Sequence, residues 1–396
     1  MANTTLKNVN MKVEQGLFIL HQSQKAQLIL SQINFIGAGT VKLEGQTLVQ
    51  ISSCTFTIPA GITTTISPLI QALGNHLQII SSIFGTEQQT NLQAPAIYTS
   101  EQCKSISISK TNFTNLQSNI TSDQWKASGI VVMQIDVNPN ITFNECVFFH
   151  CTDQTSVNSH SSGAVSIIPN IATTNDLILS NDEVIQQNIK FTSCNFTTCR
   201  GVTSGAIHST FKSLSGSDNL LFMIDKCNFI SCGGKQTIVG SLLFDGQGSG
   251  TNFGQISVTN SKFYECFGQK AGGILFGDGI QPQSAQNNVF SNNNLTTAEG
   301  ESSADIIFQS KQLLDNAGGI ESVAQGYKFE QIEINSTATG EVKIEGFSSN
   351  FGPYLDCVTR NGKENCEQIP CGGKLNQKPE DCEQKLIDEE QKDIQD

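Results

Sequence analysis

The chain has 396 residues, 37% hydrophobic and only 15% charged, so it can bury a core and wholesale disorder is disfavoured. A net charge of −13, from 23 Lys and Arg against 36 Asp and Glu, leaves no basic face for nucleic acid. Anionic membrane surfaces are disfavoured for the same reason, and no apolar stretch is long enough for a transmembrane helix.

One side-chain spacing recurs from Leu28 onward: apolar, x, apolar, x, x, Cys or small, x, Phe, x, x, Cys or small. The earlier copies are Leu28, Leu30, Ile33, Phe35, Ala38; Val49, Ile51, Cys54, Phe56; Leu77, Ile79, Ser82, Phe84; and Ile106, Ile108, Thr111, Phe113, Leu116. The clearer copies are Ile141, Phe143, Cys146, Phe148, Cys151; Ile189, Phe191, Cys194, Phe196, Cys199; Phe222, Ile224, Cys227, Phe229, Cys232; and Ile256, Val258, Ser261, Phe263, Cys266.

Alternation with a period of two inside each copy predicts short β-strands with one buried face. The two-residue step between the second and third apolar positions breaks this period and predicts a bend between two strands. Copies that share one spacing predict stacked coils, in which equivalent Phe and Cys side chains form ladders. The sequence therefore predicts an all-β fold, a parallel β-helix or β-solenoid.

A second unit follows most copies, with the form Gly, small residue, aliphatic residue. It occurs at Gly163-Ala164-Val165, Gly205-Ala206-Ile207, Gly240-Ser241-Leu242 and Gly272-Gly273-Ile274, with relatives at Gly129 and Gly318. A glycine permits a tight corner, and the aliphatic residue is expected to begin the next inward-facing strand.

The repeat fades after Phe290, although alternating aliphatic residues predict strands as far as Phe351. From Pro353 the composition becomes polar, and the last residues are strongly acidic. We therefore predict a β-helix over residues 1–352 and an acidic, cysteine-containing tail over 353–396, either a flexible linker or a truncated end.

The Cys-x-Phe-x-x-Cys units and the glycine corners resemble right-handed parallel β-helix repeats of the pectin-lyase-like superfamily. Within it they are most similar to polymorphic outer-membrane-type repeats, which combine a Phe-x-x-Asn unit with a Gly-Gly-Ala-aliphatic unit, and to uncharacterised surface proteins of protists. This chain departs from the first unit by placing Cys151, Cys199, Cys232 and Cys266 where that family has Asn. The resemblance implies a right-handed fold and says little about activity.

The in-frame cysteines are expected to be buried thiols that pack as small apolar groups. Disulfides between stacked coils and a metal site are the alternatives, the second weakened by the lack of recurring His partners. The tail cysteines, Cys357, Cys366, Cys371 and Cys382, lie in a polar stretch, where disulfides, free thiols and a zinc site all remain open.

An enzymatic β-helix that acts on acidic polysaccharides needs clustered carboxylates, or a strong base, on one exposed face. The available groups are scattered singly and are expected to be solvated side chains: Asp225, Asp245, Asp278, His150, His208, Arg200 and Arg360. We therefore predict no catalytic, cofactor-binding or metal-ligating residue, and no enzymatic activity.

Seven Asn-x-Ser/Thr sequons occur, at Asn3, Asn112, Asn119, Asn140, Asn195, Asn294 and Asn335. Asn112 and Asn195 alternate with inward residues, so both are expected to face solvent, where glycosylation would be possible in a secreted protein. Residues 1–16 lack the features of a secretory signal, so the compartment stays open, with a slight preference for the cell surface.

The leading hypothesis is a non-enzymatic surface or adhesion-type protein that contacts glycans or other proteins, either as a monomer or as part of a longer polypeptide. A polysaccharide-active lyase or glycoside hydrolase is the first alternative, and a structural spacer or fragment is the second. Aromatic residues exposed on one face would favour glycan binding, although few Tyr and one Trp argue against it. An open apolar coil at Leu28 would favour a fragment.

Overall fold

The computed structural model describes residues 3–59, 66–74, 76–120, 123–135, 139–155, 160–169, 186–212, 219–247, 255–277, 280–286, 288–296, 305–308, 327–329, 332–336, 342–346, 355–360 and 363–368. Their secondary structure is almost entirely β-strand, with one short 3₁₀ helix at Asp123–Trp125. Strands from successive repeats pair in parallel, so each repeat forms one coil of a stack.

The first two positions of each repeat lie on a sheet of ten parallel strands, which we name face A. Its strands, in stacking order, are β1 (Thr4–Lys7), β3 (Leu28–Ser31), β5 (Leu48–Ser52), β8 (His76–Ile80), β11 (Ser105–Ser109), β14 (Asn140–Asn144), β18 (Gln186–Thr192), β21 (Asn219–Asp225), β24 (Gln255–Thr259) and β28 (Gln281–Gln286).

The ladder phenylalanines, from Phe35 to Phe290, lie on a second set of strands, which we name face B. These strands are β6 (Thr55–Thr57), β9 (Ile83–Leu92), β12 (Asn112–Ser118), β15 (Val147–Phe149), β19 (Asn195–Thr197), β22 (Asn228–Ile230), β25 (Lys262–Tyr264), β29 (Asn288–Ser291) and β32 (Tyr327–Phe329). Two short strands, β16 (Thr152–Asp153) and β26 (Phe267–Gly268), pair with β12 and with β30 (Asn294–Leu295), respectively.

The aliphatic residues that follow the glycine corners begin the strands of face C. These are β7 (Ile70–Leu73), β10 (Ile97–Thr99), β13 (Val131–Ile135), β17 (Val165–Pro169), β20 (Ile207–Lys212), β23 (Leu242–Gln247), β27 (Ile274–Phe276) and β31 (Ile306–Phe308). Faces B and C join where β2 (Asn10–His21) and the long strand β4 (Asn34–Glu44) run through both, since β4 pairs with β6 and then with β7.

The core of the rod is a continuous column of stacked side chains. On face B, phenylalanine rings of successive coils stack with centroids 4.5 to 4.9 Å apart from Phe35 to Phe290. Burial of each ring stabilises the fold by about 1.5–3 kcal/mol, before the ring contacts are considered. The predicted phenylalanine ladder is confirmed.

The bends inside each repeat are made by residues in the left-handed conformation. One stands immediately before the third repeat position and another before the fifth, so Glu145 and His150 flank the Cys146-to-Phe149 segment of their coil. The φ values lie between 49° and 56° at Gln32, Ser53, Ser81, Lys110, Glu145, Ser193, Lys226 and Asn260, and at Asn115, His150, Thr198, Ser231, Glu265 and Asn292. These corners explain why the alternation breaks twice per repeat.

Crowding between coils, rather than backbone angle, requires glycine at the corners that precede face C. A Cβ atom on Gly163 would lie 2.1 Å from the Gly205 carbonyl oxygen, and one on Gly205 would lie 1.8 Å from that of Gly240. Neither glycine has a left-handed φ, so the backbone angle does not require glycine. The requirement comes from the stacked corner of the next coil, which leaves no space for a side chain. Gly318 lies outside the described residues.

One coil precedes the first predicted repeat. Thr4 and Leu6 pair in register with Leu28 and Leu30, and Met11 pairs with Phe35. The sequence pattern missed this coil because a threonine stands at its first position and a methionine replaces the phenylalanine. Leu28 is consequently buried, so no open apolar coil lies at Leu28. The half-buried apolar residues are Leu6 and Met11, one coil earlier.

The end of the parallel stack has antiparallel strands. β33 (Ile332–Ser336) pairs antiparallel with β34 (Val342–Gly346), as the alternation there predicted strands, and β34 also pairs antiparallel with β31. β35 (Leu355–Arg360) and β36 (Lys363–Gln368) form a further antiparallel pair, which places Cys357 opposite Cys366. The division at residue 352 and the state of the tail cysteines stay predictions; Cys371 and Cys382 lie outside the described residues.

Together these pairings form the predicted all-β parallel β-helix. Its right-handed sense stays a prediction, supported by the strong preference of parallel crossover connections for that hand.

Candidate functional site

The outward side of face B carries exposed apolar side chains at the same position of three coils. Three residues that directly follow a ladder phenylalanine, Phe149, Ile230 and Tyr264, are 37%, 38% and 41% exposed. Register places them in one line along the rod axis, with Thr197 between Phe149 and Ile230. Thr114 and Ser291 extend the line at its two ends. We call Phe149, Thr197, Ile230 and Tyr264 the outer row.

Neighbouring side chains hold the outer row in place. The His150 ring stacks on Phe149 with centroids 4.1 Å apart, and His150 Nδ1 lies 3.2 Å from Asn115 Oδ1. At the other end, Asn292 Nδ2 donates to the Tyr264 hydroxyl oxygen at 3.3 Å. His150 has a left-handed backbone and an exposed side chain, so the expectation that it is solvated is confirmed.

The outward column beside the outer row is formed largely by amides and small polar or aliphatic residues. Asn228 Nδ2 donates to Asn195 Oδ1 at 2.7 Å, so two successive coils are joined by their side chains. Asn112 is exposed as predicted, whereas Asn195 is only half exposed because of this contact. The sequon residues Asn3, Asn119, Asn140 and Asn294 are also exposed.

The outward side of face C is different because loops cover it. One group of buried apolar side chains includes Tyr98, Trp125 and Ile168, and a second includes Leu243, Leu275 and Ile307. Between these two groups, register brings together the outward polar residues Ser166, His208, Thr210 and Asp245, and His160 joins them from a preceding loop.

The imidazoles of His160 and His208 lie at the centre of this polar cluster, with ring centroids 5.2 Å apart. His208 Nε2 lies 3.2 Å from Asp245 Oδ2, and Thr210 Oγ1 lies 3.4 Å from His208 Nε2 and 3.3 Å from His160 Nδ1. His208 is only 1% exposed, so the expectation that it is solvated is wrong. Its outward position on face C is covered by neighbouring elements, which the sequence pattern did not reveal.

Burial lowers the pKa of His160 to about 4, and the neighbouring His208 contributes to the decrease. His160 is therefore neutral at physiological pH. The geometry does not form a nucleophilic triad, because Asp245 and Thr210 both approach the same nitrogen of His208. His208 Nδ1, the nitrogen that a triad would pair with the carboxylate, has no partner among the described residues.

A second polar cluster surrounds the buried carboxylate of Asp153. Ser128 and Ser161 donate hydroxyl hydrogen bonds to Oδ2, while Thr155 donates its hydroxyl to Oδ1 at 2.7 Å and its backbone N–H at 3.2 Å. Burial raises the pKa of Asp153, and these hydrogen bonds oppose the rise. Ser161 also accepts from the Val202 backbone N–H at 3.1 Å, so the carboxylate and its partners connect segments of neighbouring coils.

Of the remaining acidic candidates, Asp225 lies away from the His208 cluster. Asp225 lies on the outward side of face A, where its Oδ1 accepts from Thr259 and Asn260 at 2.8 Å each. Burial raises the pKa of Asp225, but these hydrogen bonds together with the charges of Lys226 and Lys190 hold the pKa below its usual value. Asp278 lies outside the described residues, Arg200 is exposed on its coil, and the side chain of Arg360 is not described.

The in-frame cysteines are buried free thiols, as predicted for Cys54, Cys146, Cys151, Cys194, Cys199, Cys227, Cys232 and Cys266. Cys151, Cys199, Cys232 and Cys266 each donate to the carbonyl oxygen of the ladder phenylalanine one coil earlier, at 3.3 to 3.5 Å. Asn293 continues this ladder and donates to the Phe263 carbonyl at 3.2 Å. Cysteine thus performs the carbonyl-capping role of the Asn in a Phe-x-x-Asn unit.

Within the described ranges, no group of three or more His, Cys, Asp or Glu side chains is arranged to hold a metal ion. The described residues also contain no helix long and apolar enough to span a membrane. Comparison of the chain with known protein families, curated proteins and solved structures found no match.

The outer row is the candidate functional feature that sequence reasoning missed. Its signal was present in the residue that directly follows each ladder phenylalanine, in Phe148-Phe149, Phe229-Ile230 and Phe263-Tyr264. Because an extended strand alternates its faces, a large apolar residue at this position must point outward.

Proposed function

We propose that this chain is a non-enzymatic surface or adhesion-type protein that contacts glycans or other proteins through the outer faces and loops of its β-helix. The observation that carries the proposal is the outer row, since large apolar side chains aligned on an otherwise polar surface are typical of contact sites. The rigid stack of coils holds these side chains at fixed spacing, which favours binding without rearrangement.

Among the residues that the structure describes, the lack of a pair of carboxylates on one surface supports the non-enzymatic form of this proposal. Asp225 and Asp245 occupy outward positions on different faces of the described coils, so no pair of these carboxylates flanks a common surface. Hydrolysis of a glycosidic bond by paired carboxylic acids requires two such groups on opposite sides of the bond.

The test is to incubate the full chain with a panel of neutral glycans and polyuronates and to measure retention and bond cleavage in the same samples. Retention without cleavage is the expected result. Cleavage would overturn the non-enzymatic proposal, and absence of both signals would overturn glycan contact. If neither signal is seen, the next measurement is binding to proteins displayed on cell surfaces.

A polysaccharide-active enzyme is the second candidate, favoured by the His208 and Asp245 pair with Thr210 and His160 beside it. If the chain cleaves a polysaccharide, His208→Gln and Asp245→Asn are expected to abolish cleavage, while Asp225→Asn leaves it unchanged. Cleavage that survives both His208→Gln and Asp245→Asn excludes this cluster as the active site.

A further inference from the structure

We propose that the outer row binds an uncharged polysaccharide chain that lies along the rod axis, with sugar rings stacked on Tyr264, Ile230 and Phe149. This inference rests on the proposed binding function and assigns its site and its ligand class. Adjacent coils are about 4.8 Å apart, so three coil steps from Phe149 to Tyr264 give a platform roughly 14 Å long. A platform of that shape suits a linear polymer better than a compact small molecule.

The chemistry of the outer row matches the two surfaces of a sugar ring. The face of a pyranose presents C–H groups, which pack on aromatic and aliphatic side chains, and its rim presents hydroxyls, which require hydrogen-bonding groups. Thr197 stands between Phe149 and Ile230, and the amides of Asn195 and Asn228 flank the same coils. Hydrogen-bonding groups therefore lie within about one coil of the apolar side chains of the row.

The charge around the outer row favours a neutral ligand. Each ladder phenylalanine of β12, β15, β19, β22, β25 and β29 is flanked by two outward residues, and among these described residues only Lys262 is charged. An acidic polysaccharide would need several cationic groups spaced along the row to offset the desolvation of its carboxylates. The chain as a whole carries a net charge of −13, which repels polyanions further.

A protein partner is the less favoured occupant of this surface. Protein interfaces bury a contiguous apolar core surrounded by a polar rim. Here Phe149, Ile230 and Tyr264 form one line, and the exposed Ile83 stands apart from them in the neighbouring column. Hydroxyl-bearing residues occupy the same line at Thr114, Thr197 and Ser291. A narrow line of this kind fits a single polymer chain.

The experiment uses the full chain in affinity gel electrophoresis with soluble neutral polysaccharides of glucose, mannose or N-acetylglucosamine, and calorimetry with neutral oligosaccharides of increasing length. We expect at least one neutral polysaccharide to retard the protein, with little dependence on salt. Affinity should increase with oligosaccharide length until the outer row is spanned. Polygalacturonate serves as the charged comparison and is expected not to retard the protein.

Variants of exposed residues identify the site without threatening the fold. Tyr264→Ala and Phe149→Ala are each expected to weaken binding about tenfold, equivalent to the loss of one stacking contact. Ile230→Tyr is expected to strengthen binding, because it adds a third aromatic ring to the row. Met223→Ala is the matched control, since Met223 is a half-buried outward residue on face A. Thermal unfolding of each variant confirms that the coils remain intact.

Three results would overturn the inference, and they differ in what they imply for the proposed function. Neutral-glycan binding that is unchanged in Tyr264→Ala and Phe149→Ala would move the site elsewhere and leave the binding function standing. Salt-sensitive retention by polygalacturonate alone would contradict the neutral ligand class but keep glycan contact. Absence of retention by every polysaccharide would contradict both the inference and the glycan arm of the proposed function.

Discussion

Individual residues in this chain have roles set by which side of a strand they occupy. Phe196 and Thr197 are neighbours in β19, yet Phe196 is fully buried and Thr197 lies in the outer row. The same contrast holds between Phe263, which stacks on Phe229 and Phe290, and the exposed Tyr264. Substitutions one residue apart are therefore expected to have opposite consequences for stability.

Phe196→Asp is expected to destabilise the fold by several kcal/mol, because it removes three ring contacts and buries a charge without a partner. Thr197→Asp, the adjacent outward control, is expected to change the free energy of unfolding by less than about 1 kcal/mol. Chemical denaturation of both variants measures the difference. Equal midpoints for the two variants would show that the inward and outward assignments of β19 are wrong.

The buried His160 imidazole makes the free energy of unfolding depend on pH in the acidic range. Its pKa is lowered to about 4, against an ordinary value of about 6.5, so between these values the unfolded chain binds more protons than the folded chain. The free energy of unfolding is therefore expected to fall as pH decreases from about 6.5 towards 4. Described groups that face the ring are Thr210, His208 and Asp245.

Denaturation midpoints measured across this pH range check the His160 prediction. His160→Gln is expected to flatten the pH dependence, because the neutral amide keeps a polar group in place and cannot gain a proton. His150→Gln is the control, since His150 is exposed beside Phe149. A slope that persists unchanged in His160→Gln would assign the acid sensitivity to another group.

At the scale of the element, the coil is shaped by corners as much as by strands. Residues in the left-handed conformation end the strands of faces A and B, and their backbone N–H groups donate to the next coil, as from Ser53 to Ile80 at 2.9 Å. The corners before face C instead depend on the missing side chains of Gly163, Gly205 and Gly240. Both kinds of corner depend on a neighbouring coil for their hydrogen bonds or their close packing.

Gly205→Ala is expected to destabilise the protein by about 1–3 kcal/mol or more, because the added methyl would overlap the Gly240 carbonyl oxygen of the next coil. Gly234→Ala is the matched control, since the nearest atom to its added methyl is Arg200 Cδ at an ordinary 3.7 Å. Thermal unfolding compares the two. If Gly205→Ala is as stable as Gly234→Ala, the two corners do not approach as closely as described.

At the scale of the whole molecule, the coils form a one-dimensional array whose stability resides in contacts between neighbours. Columns of identical groups run along it, including the phenylalanine stack and the cysteine ladder that Asn293 continues. The stabilising contribution of a contact that recurs in successive coils therefore accumulates along the rod. The outer row and the His208 cluster are each confined to a few coils.

The thiol ladder is expected to make the whole rod less stable at alkaline pH. Burial raises the pKa of Cys199, Cys232 and Cys266 well above the ordinary value, so the folded chain keeps protons that the unfolded chain loses above about pH 8.5. The unfolded state then binds fewer protons, and the free energy of unfolding falls as pH rises.

Denaturation from pH 7 to 10 in a reducing buffer measures this effect. Cys199→Ala combined with Cys232→Ala is expected to reduce the alkaline slope, because it removes two buried thiols that only the unfolded chain deprotonates. Native thiols are also expected to resist alkylation until the chain unfolds, because the ladder is buried. Rapid alkylation of all ladder thiols in the native protein would contradict their burial.

The sequence by itself determined the parallel β-helix, the inward positions and the buried thiols, because the repeat spacing records which side chains must face a common core. It also indicated the bends and the glycine corners, since broken alternation and missing side chains are local signals. Only the tertiary structure decided which outward residues are exposed and which are covered. The repeat spacing marks a position as outward but does not record whether other elements cover it. Tyr264 is therefore exposed in the outer row, whereas the equally outward His208 is buried.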